Sequence, residues 1–245
     1  MMSKNKIRRY RNLFAHFENW PQYLWFKMFG YQASFDFQLK GQFSVRVPRQ
    51  MLSAFRECFF DQIYFKNIPE HLLTLKNPTI VDIGANVGYF SLFMFYKFPE
   101  AISYAFEPMS FNFQMLEKYK ETYPTFNWHI EPQAISDNNI PITLHTSKLD
   151  GSTTMASIFS QPGNGQQIQV QSTTLPQFLE KNSINYINLL KLYCQGAEYA
   201  ILYSLPQEVL DKICIVLIKT HRGTKQKETN QALRNYLQAK QYQLK

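Results

Sequence analysis

Short apolar segments alternate along most of the chain with longer segments in which apolar residues recur every three to four positions. The first pattern is typical of buried strands and the second of amphipathic helices. The predicted strands lie near 79–83, 102–107, 126–131, 186–192 and 213–219, and the predicted helices near 88–97, 110–122, 174–181, 197–204 and 226–239. This alternation predicts an α/β fold, in which right-handed crossovers build a mostly parallel central sheet with helices on both faces.

The residues before this alternation predict a smaller unit. Residues 35–39 and 43–47 alternate apolar and polar positions around a glycine turn, which predicts a hairpin, and a helix is predicted at 49–66. We therefore expect an N-terminal extension of helices and a hairpin at 1–75, and one catalytic domain at 76–245. The hairpin is expected to be a lid or cap on that domain.

An insertion separates the third and fourth predicted strands of the sheet. Residues 140–146 and 167–173 predict a second hairpin, and between its arms lies a loop, 147–165, that is rich in Ser, Thr and Gly. A loop of this length in a compact domain is usually functional or disordered.

A glycine loop joins the first predicted strand of the sheet to its helix. Gly84 and Gly88 let the backbone approach a ligand, and the N–H groups that open the helix favour a carboxylate or phosphate. A dinucleotide fingerprint needs glycines where Asn86 and Tyr89 stand, and no Gly-Lys-Ser/Thr follows to make a phosphate loop. Glu107 follows about 20 residues later, at the spacing of a ribose-binding acid. An ordinary strand-to-helix turn with a solvated acid remains the alternative.

Length and composition restrict the compartment. With 245 residues, of which 45% are apolar, the chain can bury one sizeable core. Cys58, Cys194 and Cys214 include no close pair, which indicates neither a zinc site nor a disulfide framework and favours a reducing, cytoplasmic location. The sequence has no apolar run of about 18 residues and opens on basic residues, so neither a membrane-spanning segment nor secretion is expected.

Positive charge is concentrated at the N-terminus. The formal net charge is +8, and residues 1–30 hold six basic side chains, one acid and eight interleaved aromatic residues. We favour a docked helix with a solvated basic face. Peripheral contact of residues 1–30 with the inner membrane surface is the second reading. No recognised nucleic-acid module accompanies the charge, so no nucleic-acid partner is expected.

Several segments together resemble the FkbM family of S-adenosylmethionine (SAM)-dependent methyltransferases over roughly residues 50–240. They are Phe55-Arg56-Glu57 with Tyr64, residues 81–90, residues 105–108, residues 172–175, and residues 189–198 with Thr220-His221. The resemblance implies a class I Rossmann-like methyltransferase fold, SAM as methyl donor, and O-methylation of a hydroxylated small metabolite or glycan. The family's fold normally adds a closing β-hairpin after the last helix, and few residues follow that helix here, so we expect either a shortened chain or an uncovered sheet edge.

The resemblance also implies roles on the cofactor side. Asp82 would orient the methionine part of SAM, and Glu107 would hold its ribose. The backbone cradle would comprise Gly84, Asn86, Val87, Gly88 and Tyr89. The adenine would lie near Pro108, Met109, Gln133 and Ala134. Polar groups would thus bind the amino acid and ribose, and apolar contacts the base.

On the acceptor side, His221 is the candidate base, since an imidazole is largely neutral and able to accept a proton at pH 7. A hydrogen-bonded structural histidine is the alternative. Tyr193, Gln195 and Glu198 would shape the acceptor site. Lys191 would neutralise the SAM carboxylate or an anionic acceptor, unless it is structural.

Three acids of the family pattern are replaced in this chain. Family members usually have Asp, Glu and Glu where Tyr193, Gln195 and Lys219 stand. These residues are poor ligands for a hard cation, so no metal-binding residue is assigned and a divalent metal is doubtful. Lys219 also brings positive charge toward His221 without a compensating acid, which predicts an impaired catalyst. A degenerate site, a changed substrate and an introduced substitution all stay open, and the alternative function is SAM or partner binding without turnover.

Overall fold

The computed structural model describes residues 4–41, 43–65, 68, 75–146, 166–221, 223 and 225–243. The chain divides into two compact units, an N-terminal unit of residues 1–68 and a C-terminal unit of residues 69–245. Residues 66, 67 and 69–74 lie outside the described part, so the boundary expected after residue 75 stays a prediction.

The N-terminal unit is built around a cluster of phenylalanine rings. Its elements are α1 (Lys4–His16), α2 (Trp20–Phe29), β1 (Ser34–Gln38), β2 (Ser44–Pro48), a 3-10 turn (Arg49–Met51) and α3 (Leu52–Phe59). β1 and β2 form the antiparallel hairpin predicted from the sequence. Phe17 is fully buried, and its ring centroid lies 5.4 Å from that of Phe37, 5.9 Å from that of Phe55 and 6.0 Å from that of Phe59.

The helix predicted at 49–66 is shorter than expected. α3 ends at Phe59, and the N–H of Asp61 then donates to the Arg56 carbonyl at 2.7 Å. Gln62 follows with a φ of 46°, a left-handed conformation that no right-handed helix accommodates. The apolar spacing beyond Phe59 therefore belongs to a turn.

The C-terminal unit has the predicted α/β fold. Its elements are β3 (Thr79–Ile83), α4 (Tyr89–Lys97), β4 (Ile102–Phe106), α5 (Ser110–Thr122), β5 (Asn127–Glu131), β6 (Ala134–Ser136), β7 (Ile142–Thr146), β8 (Gln166–Val170), β9 (Ser172–Thr174), α6 (Leu175–Lys181), β10 (Ile187–Leu192), α7 (Glu198–Ser204), α8 (Gln207–Leu210), β11 (Ile213–Ile218) and α9 (Asn230–Ala239). Five strands form a parallel sheet in the order β11-β10-β3-β4-β5. The predicted parallel sheet is thus confirmed.

Helices cover both faces of this sheet. Because successive side chains of a strand point to opposite faces, Val81 and Asp82 of β3 belong to different layers. Val81 packs in a core cluster with Phe178 of α6, Leu202 of α7 and Leu233 of α9. Asp82 accepts a hydrogen bond from α4 on the other face.

The predicted hairpin of the insertion forms, but its second arm is shorter. β7 pairs antiparallel with β8, from Ile142 opposite Val170 to Thr146 opposite Gln166. After Val170 the chain no longer pairs with β7. The next strand, β9, pairs in parallel with β6. The predicted loop at 147–165 lies outside the described residues.

The last helix begins later than the predicted position 226. The Thr229 hydroxyl accepts a hydrogen bond from the N–H of Ala232 at 3.1 Å, so Thr229 caps the helix and α9 begins at Asn230.

Candidate active site

The candidate site lies at the carboxyl edge of the parallel sheet. The chain builds β3, β4 and β5 to one side and then returns to place β10 and β11 on the other side. Open α/β sheets bind ligands at such a reversal, outside the carboxyl ends of the strands. The segments that follow β3, β4, β10 and β11 there carry most of the residues singled out from the sequence.

Three residues of the glycine loop have a left-handed backbone. The φ angle is 75° at Gly84, 53° at Asn86 and 85° at Gly88. Asparagine is enriched among the non-glycine residues that adopt this conformation, so Asn86 suits the turn. The N–H groups of Gly84 and Ala85 donate to the Phe106 carbonyl at 3.1 and 2.9 Å, which ties the loop to the end of β4.

Both glycines are required by contacts within the protein. A Cβ atom on Gly84 would overlap the carbonyl oxygen of Tyr193. One on Gly88 would lie 2.5 Å from Leu116 Cδ1 and 2.7 Å from the Trp128 ring. The sequence pattern was interpreted as room for a ligand, but the structure gives each glycine a packing reason.

Asp82 and Lys191 form a buried ion pair between the neighbouring strands β3 and β10. Lys191 Nζ lies 2.6 Å from Asp82 Oδ1 and donates to the Gly84 carbonyl at 2.8 Å. Ser91 Oγ donates to Asp82 Oδ2 at 2.9 Å. The Asp82 and Lys191 side chains are 0% and 3% exposed. The pair holds the glycine loop through the Gly84 carbonyl, and the roles expected for Asp82 and Lys191 toward SAM or the acceptor stay predictions.

Glu107 lies directly after β4, buried among N–H donors. Its Oε2 accepts the backbone N–H of Asn86 at 2.8 Å, and its Oε1 accepts the N–H of Met109 at 3.0 Å and Asn112 Nδ2 at 3.3 Å. Burial raises the pKa of Glu107, and these hydrogen bonds together with the charge of Lys191 offset only part of the rise.

Two buried amide oxygens beside Glu107 have no hydrogen-bond partner among the described residues: Asn86 Oδ1 and Asn112 Oδ1. Buried acceptors are nearly always paired, so these two oxygens are candidate partners for the donor groups of a ligand. Sequence reasoning missed Asn112, although its place in the first turn of α5, five residues after the strand-end acid, was a usable signal. Val87 and Tyr89 are 0% and 2% exposed, which limits them to backbone contacts.

The residues expected near adenine fall into two groups. Met109 and Ala134 lie together in a buried apolar cluster with side chains of β7 and β8. Gln133 donates to Glu131 Oε2 at 3.2 Å and lines an open cavity of about 340 Å³ between the end of β5 and α6. Pro108 is half-buried next to Met109.

On the acceptor side, Glu198 of α7 holds His221, which follows β11. His221 Nδ1 lies 3.0 Å from Glu198 Oε1, which also accepts the backbone N–H of His221 at 2.7 Å. The Gly196 N–H donates to Oε2 at 2.8 Å. Glu198 is fully buried, whereas the His221 side chain is 24% exposed. Because a carboxylate at Nδ1 requires an N–H there, the neutral ring carries its lone pair on Nε2.

Glu198 keeps its negative charge in this setting. Burial raises its pKa, but the hydrogen bonds from the His221 ring and from the backbone N–H groups of Glu198, His221 and Gly196 outweigh burial, so the pKa is lowered. An ionised carboxylate next to an imidazole stabilises the imidazolium. Tyr193 and Gln195 were expected to leave His221 without a neighbouring negative charge, but Glu198 supplies a carboxylate there.

Lys219 is directed at Tyr193. Its Nζ donates to the Tyr193 hydroxyl at 2.5 Å and lies 4.1 Å from the centroid of that ring. The Tyr193 ring in turn stacks on the His221 ring, with centroids 5.4 Å apart and planes at 17°. Gln195 has a φ of 52° and Gly196 one of 110°, so the chain turns sharply between β10 and α7.

The acids and histidines of this edge do not converge on one point. Within the described ranges, no group of three or more His, Cys, Asp or Glu side chains is arranged to hold a metal ion. Each of the three buried acids has a different partner. Asp82 pairs with Lys191, Glu107 accepts backbone N–H groups, and Glu198 pairs with His221.

Comparison with known proteins decides the family. A family model described as the methyltransferase FkbM domain matches residues 82–244. The chain belongs to the FkbM methyltransferase family. A crystal structure of methyltransferase FkbM from Methylobacillus flagellatus has a TM-score of 0.50 at 13% identity, and covers 77% of this chain and 47% of that chain. This likeness shows a shared FkbM fold.

Two curated relatives are named as methyltransferases. Methyltransferase sdnD of Sordaria araneosa is 42% identical over 65 residues, which are 26% of this chain and 23% of that protein. Methyltransferase 1 of Beauveria bassiana is 27% identical over 157 residues, which are 57% of this chain and 63% of that protein. Each match spans less than two thirds of the relative's length.

Proposed function

We propose that this FkbM chain is a SAM-dependent O-methyltransferase whose acceptor is a hydroxylated small metabolite or glycan. Family membership supports methyl transfer. The observation that carries the O-methylation proposal is the His221–Glu198 pair, because transfer to a hydroxyl requires a positioned group that removes its proton.

The residues of the cofactor side fit SAM. Asn86 Oδ1 and Asn112 Oδ1 are buried acceptors that hydroxyl or ammonium donors would satisfy. Glu107 accepts three N–H groups, and a carboxylate has about four lone-pair sites, so it retains capacity for a ribose hydroxyl. SAM, when bound, supplies an electrophilic methyl group on a sulfonium.

On the acceptor side, His221 would take the hydroxyl proton at Nε2. Glu198 would hold the ring through Nδ1 and stabilise the positive charge that the ring acquires. Tyr193 and Lys219, joined by their hydrogen bond, would form one wall of the acceptor site and keep the imidazole plane fixed by stacking.

Binding and turnover test this proposal separately. Calorimetry with SAM and with NAD should show SAM binding and weaker or no NAD binding. S-adenosylhomocysteine formation should then depend on an acceptor when sugars, glycolipid precursors, and polyketide or peptide metabolites are screened. A folded protein that does not bind SAM, or that binds NAD more tightly, would overturn the cofactor assignment.

The second candidate is a SAM-binding protein without turnover. The hydrogen bond between Lys219 and Tyr193 favours this candidate, because both residues stand where family members usually have acids. The triple variant Tyr193→Asp, Gln195→Glu and Lys219→Glu separates the two. A silent wild type and an active, metal-responsive triple variant would support the second candidate. Equal turnover of both proteins, with no response to divalent metal, would show that the acids are not needed.

A further inference from the structure

Large apolar side chains are exposed mainly near the start of the chain. Nine are exposed among the described residues, and six of these lie within the first 31: Ile7, Phe14, Trp25, Met28, Phe29 and Tyr31. The other three, Phe111, Ile140 and Tyr186, lie far apart in the sequence of the C-terminal unit. Single exposed apolar residues are ordinary, whereas a group of them marks an interaction surface.

The outward side of α2 is apolar. Tyr23 and Phe26 point into the N-terminal unit and are 4% and 3% exposed. Trp25, Met28 and Phe29 are 55%, 67% and 57% exposed, and at about 3.6 residues per turn they share the opposite side of the helix. A helix that is apolar around most of its circumference is normally buried, so we expect the outward side of α2 to contact another surface.

α1 lies beside α2 and carries two further exposed apolar side chains. Ile7 and Phe14 are two turns apart on the exposed side of α1. The Phe14 ring centroid lies 4.8 Å from that of Trp20, and Lys27 Nζ donates to the Tyr10 hydroxyl at 3.2 Å, so the two helices are neighbours. We call this surface the outer face; it comprises Ile7, Phe14, Trp25, Met28 and Phe29.

The charges of α1 and α2 indicate what the outer face contacts. Lys6, Arg11 and Lys27 are exposed on the two helices, and Glu18 is the one acid in the sequence of residues 1–35. Basic residues next to exposed tryptophan and phenylalanine are typical of helices that lie in a membrane interface on anionic lipids. A nucleic-acid backbone would use the charges but offers no apolar region for the outer face.

We propose that the outer face binds an anionic lipid surface. Trp25, Met28 and Phe29 enter the headgroup region, and Arg11 and Lys27 contact lipid phosphates. Contact is peripheral, because none of the described helices has the length and apolar character that a bilayer crossing requires. This proposal does not depend on the methyl-transfer proposal.

Vesicle sedimentation of the full chain tests it. We expect the wild type to sediment with vesicles of phosphatidylcholine and phosphatidylglycerol, and more weakly at high salt or with phosphatidylcholine alone. The variant Trp25→Gln/Phe29→Gln should lower the partition constant at least about tenfold, since both side chains lose their apolar contact with lipid. Arg11→Gln/Lys27→Gln should remove most of the preference for anionic vesicles, since these are the side chains placed on the lipid phosphates.

The matched control is Ile140→Gln/Tyr186→Gln, which replaces exposed apolar residues of the C-terminal unit and should sediment like the wild type. Circular dichroism checks that all variants fold. Absence of wild-type sedimentation, or equal sedimentation of the Trp25→Gln/Phe29→Gln variant, would overturn the proposal. The proposal would also be overturned if the wild type did not bind vesicles but formed a concentration-dependent dimer or bound nucleic acid, and if the Trp25→Gln/Phe29→Gln variant lost that dimer or that binding.

Discussion

Glu107 and Glu198 are buried glutamates at the same edge of the sheet, and their pKa values are shifted in opposite directions. Glu107 accepts the backbone N–H groups of Asn86 and Met109, and Glu198 accepts those of His221 and Gly196. The pKa of Glu107 is nevertheless raised, chiefly by burial, while hydrogen bonding lowers that of Glu198.

Burial is the largest cause acting on both carboxyls, and hydrogen bonds outweigh it only at Glu198, where the bond from the His221 ring contributes most. Glu107 is contacted by the Asn112 amide at 3.3 Å and Glu198 by the His221 ring at 3.0 Å. An amide offers a dipole, whereas an imidazole can carry a full positive charge. The surroundings of Glu107 thus favour the neutral carboxyl, and those of Glu198 favour the carboxylate. We call them the neutral side and the charged side; under the proposed function they are the cofactor side and the acceptor side.

The largest effect is expected when the charged side loses its histidine. His221→Ala should lower the rate of methyl transfer about 10²- to 10⁴-fold, the usual contribution of a general base. SAM affinity, measured by calorimetry, should stay unchanged, because the cofactor side is intact. His129→Ala, which removes an exposed histidine of β5, serves as the control. An undiminished rate in His221→Ala would remove His221 from the mechanism.

Lys191→Met tests the ion pair that supports the glycine loop. It should lower the free energy of unfolding by about 3–5 kcal/mol, because Asp82 stays buried without its cation. The change should also raise the pKa of Glu107 further, since the charge of Lys191 lowers it.

Two further variants give this test its controls. Asp82→Asn/Lys191→Met removes both charges and should recover much of the lost stability. Lys225→Met breaks an ion pair whose lysine is 81% exposed, and should cost less than about 1 kcal/mol. Equal unfolding free energies for Lys191→Met and Lys225→Met would contradict a structural role for the buried pair.

Smaller effects are expected on the neutral side. Glu107→Ala should weaken SAM binding by about 1–3 kcal/mol, the usual cost of leaving a buried hydrogen-bond donor without its partner. Asn112→Ala should weaken it less, because Glu107 keeps both backbone donors. Glu117→Ala, an exposed acid on the same helix α5, is the control. Unchanged affinity in Glu107→Ala would place the ribose elsewhere.

The sheet could be predicted from the sequence because β3, β4, β10 and β11 are short, mostly apolar segments separated by helical patterns. All five strands lie within one residue of their predicted bounds, including β3 at Thr79–Ile83. The expected helix at 49–66 failed because local spacing does not report a single left-handed residue, here Gln62.

Side-chain partners could not be predicted from spacing. Lys191 and Asp82 are 109 residues apart, and they meet only because β10 returns to pair with β3. Likewise, Glu198 and His221 come from segments that follow different strands. The sequence indicated which residues reach the sheet edge, whereas the strand order decides which of them neutralise one another.

The two glutamates also affect stability differently with pH. The lowered pKa of Glu198 means that its stabilising contribution is present above its unfolded value, about 4.3, and is lost as the pH falls through the folded pKa. The raised pKa of Glu107 has the opposite effect on stability. Its ionisation costs stability as the pH rises from about 4.3 to the folded pKa.

NMR titration of the chain labelled with ¹³C at its glutamate carboxyl groups measures this contrast most directly. Glu107→Gln and Glu198→Gln assign the two resonances. We expect Glu107 to ionise above about 4.3 and Glu198 below it. Midpoints on the same side of that value, or in reversed order, would contradict the division of the site into a neutral cofactor side and a charged acceptor side.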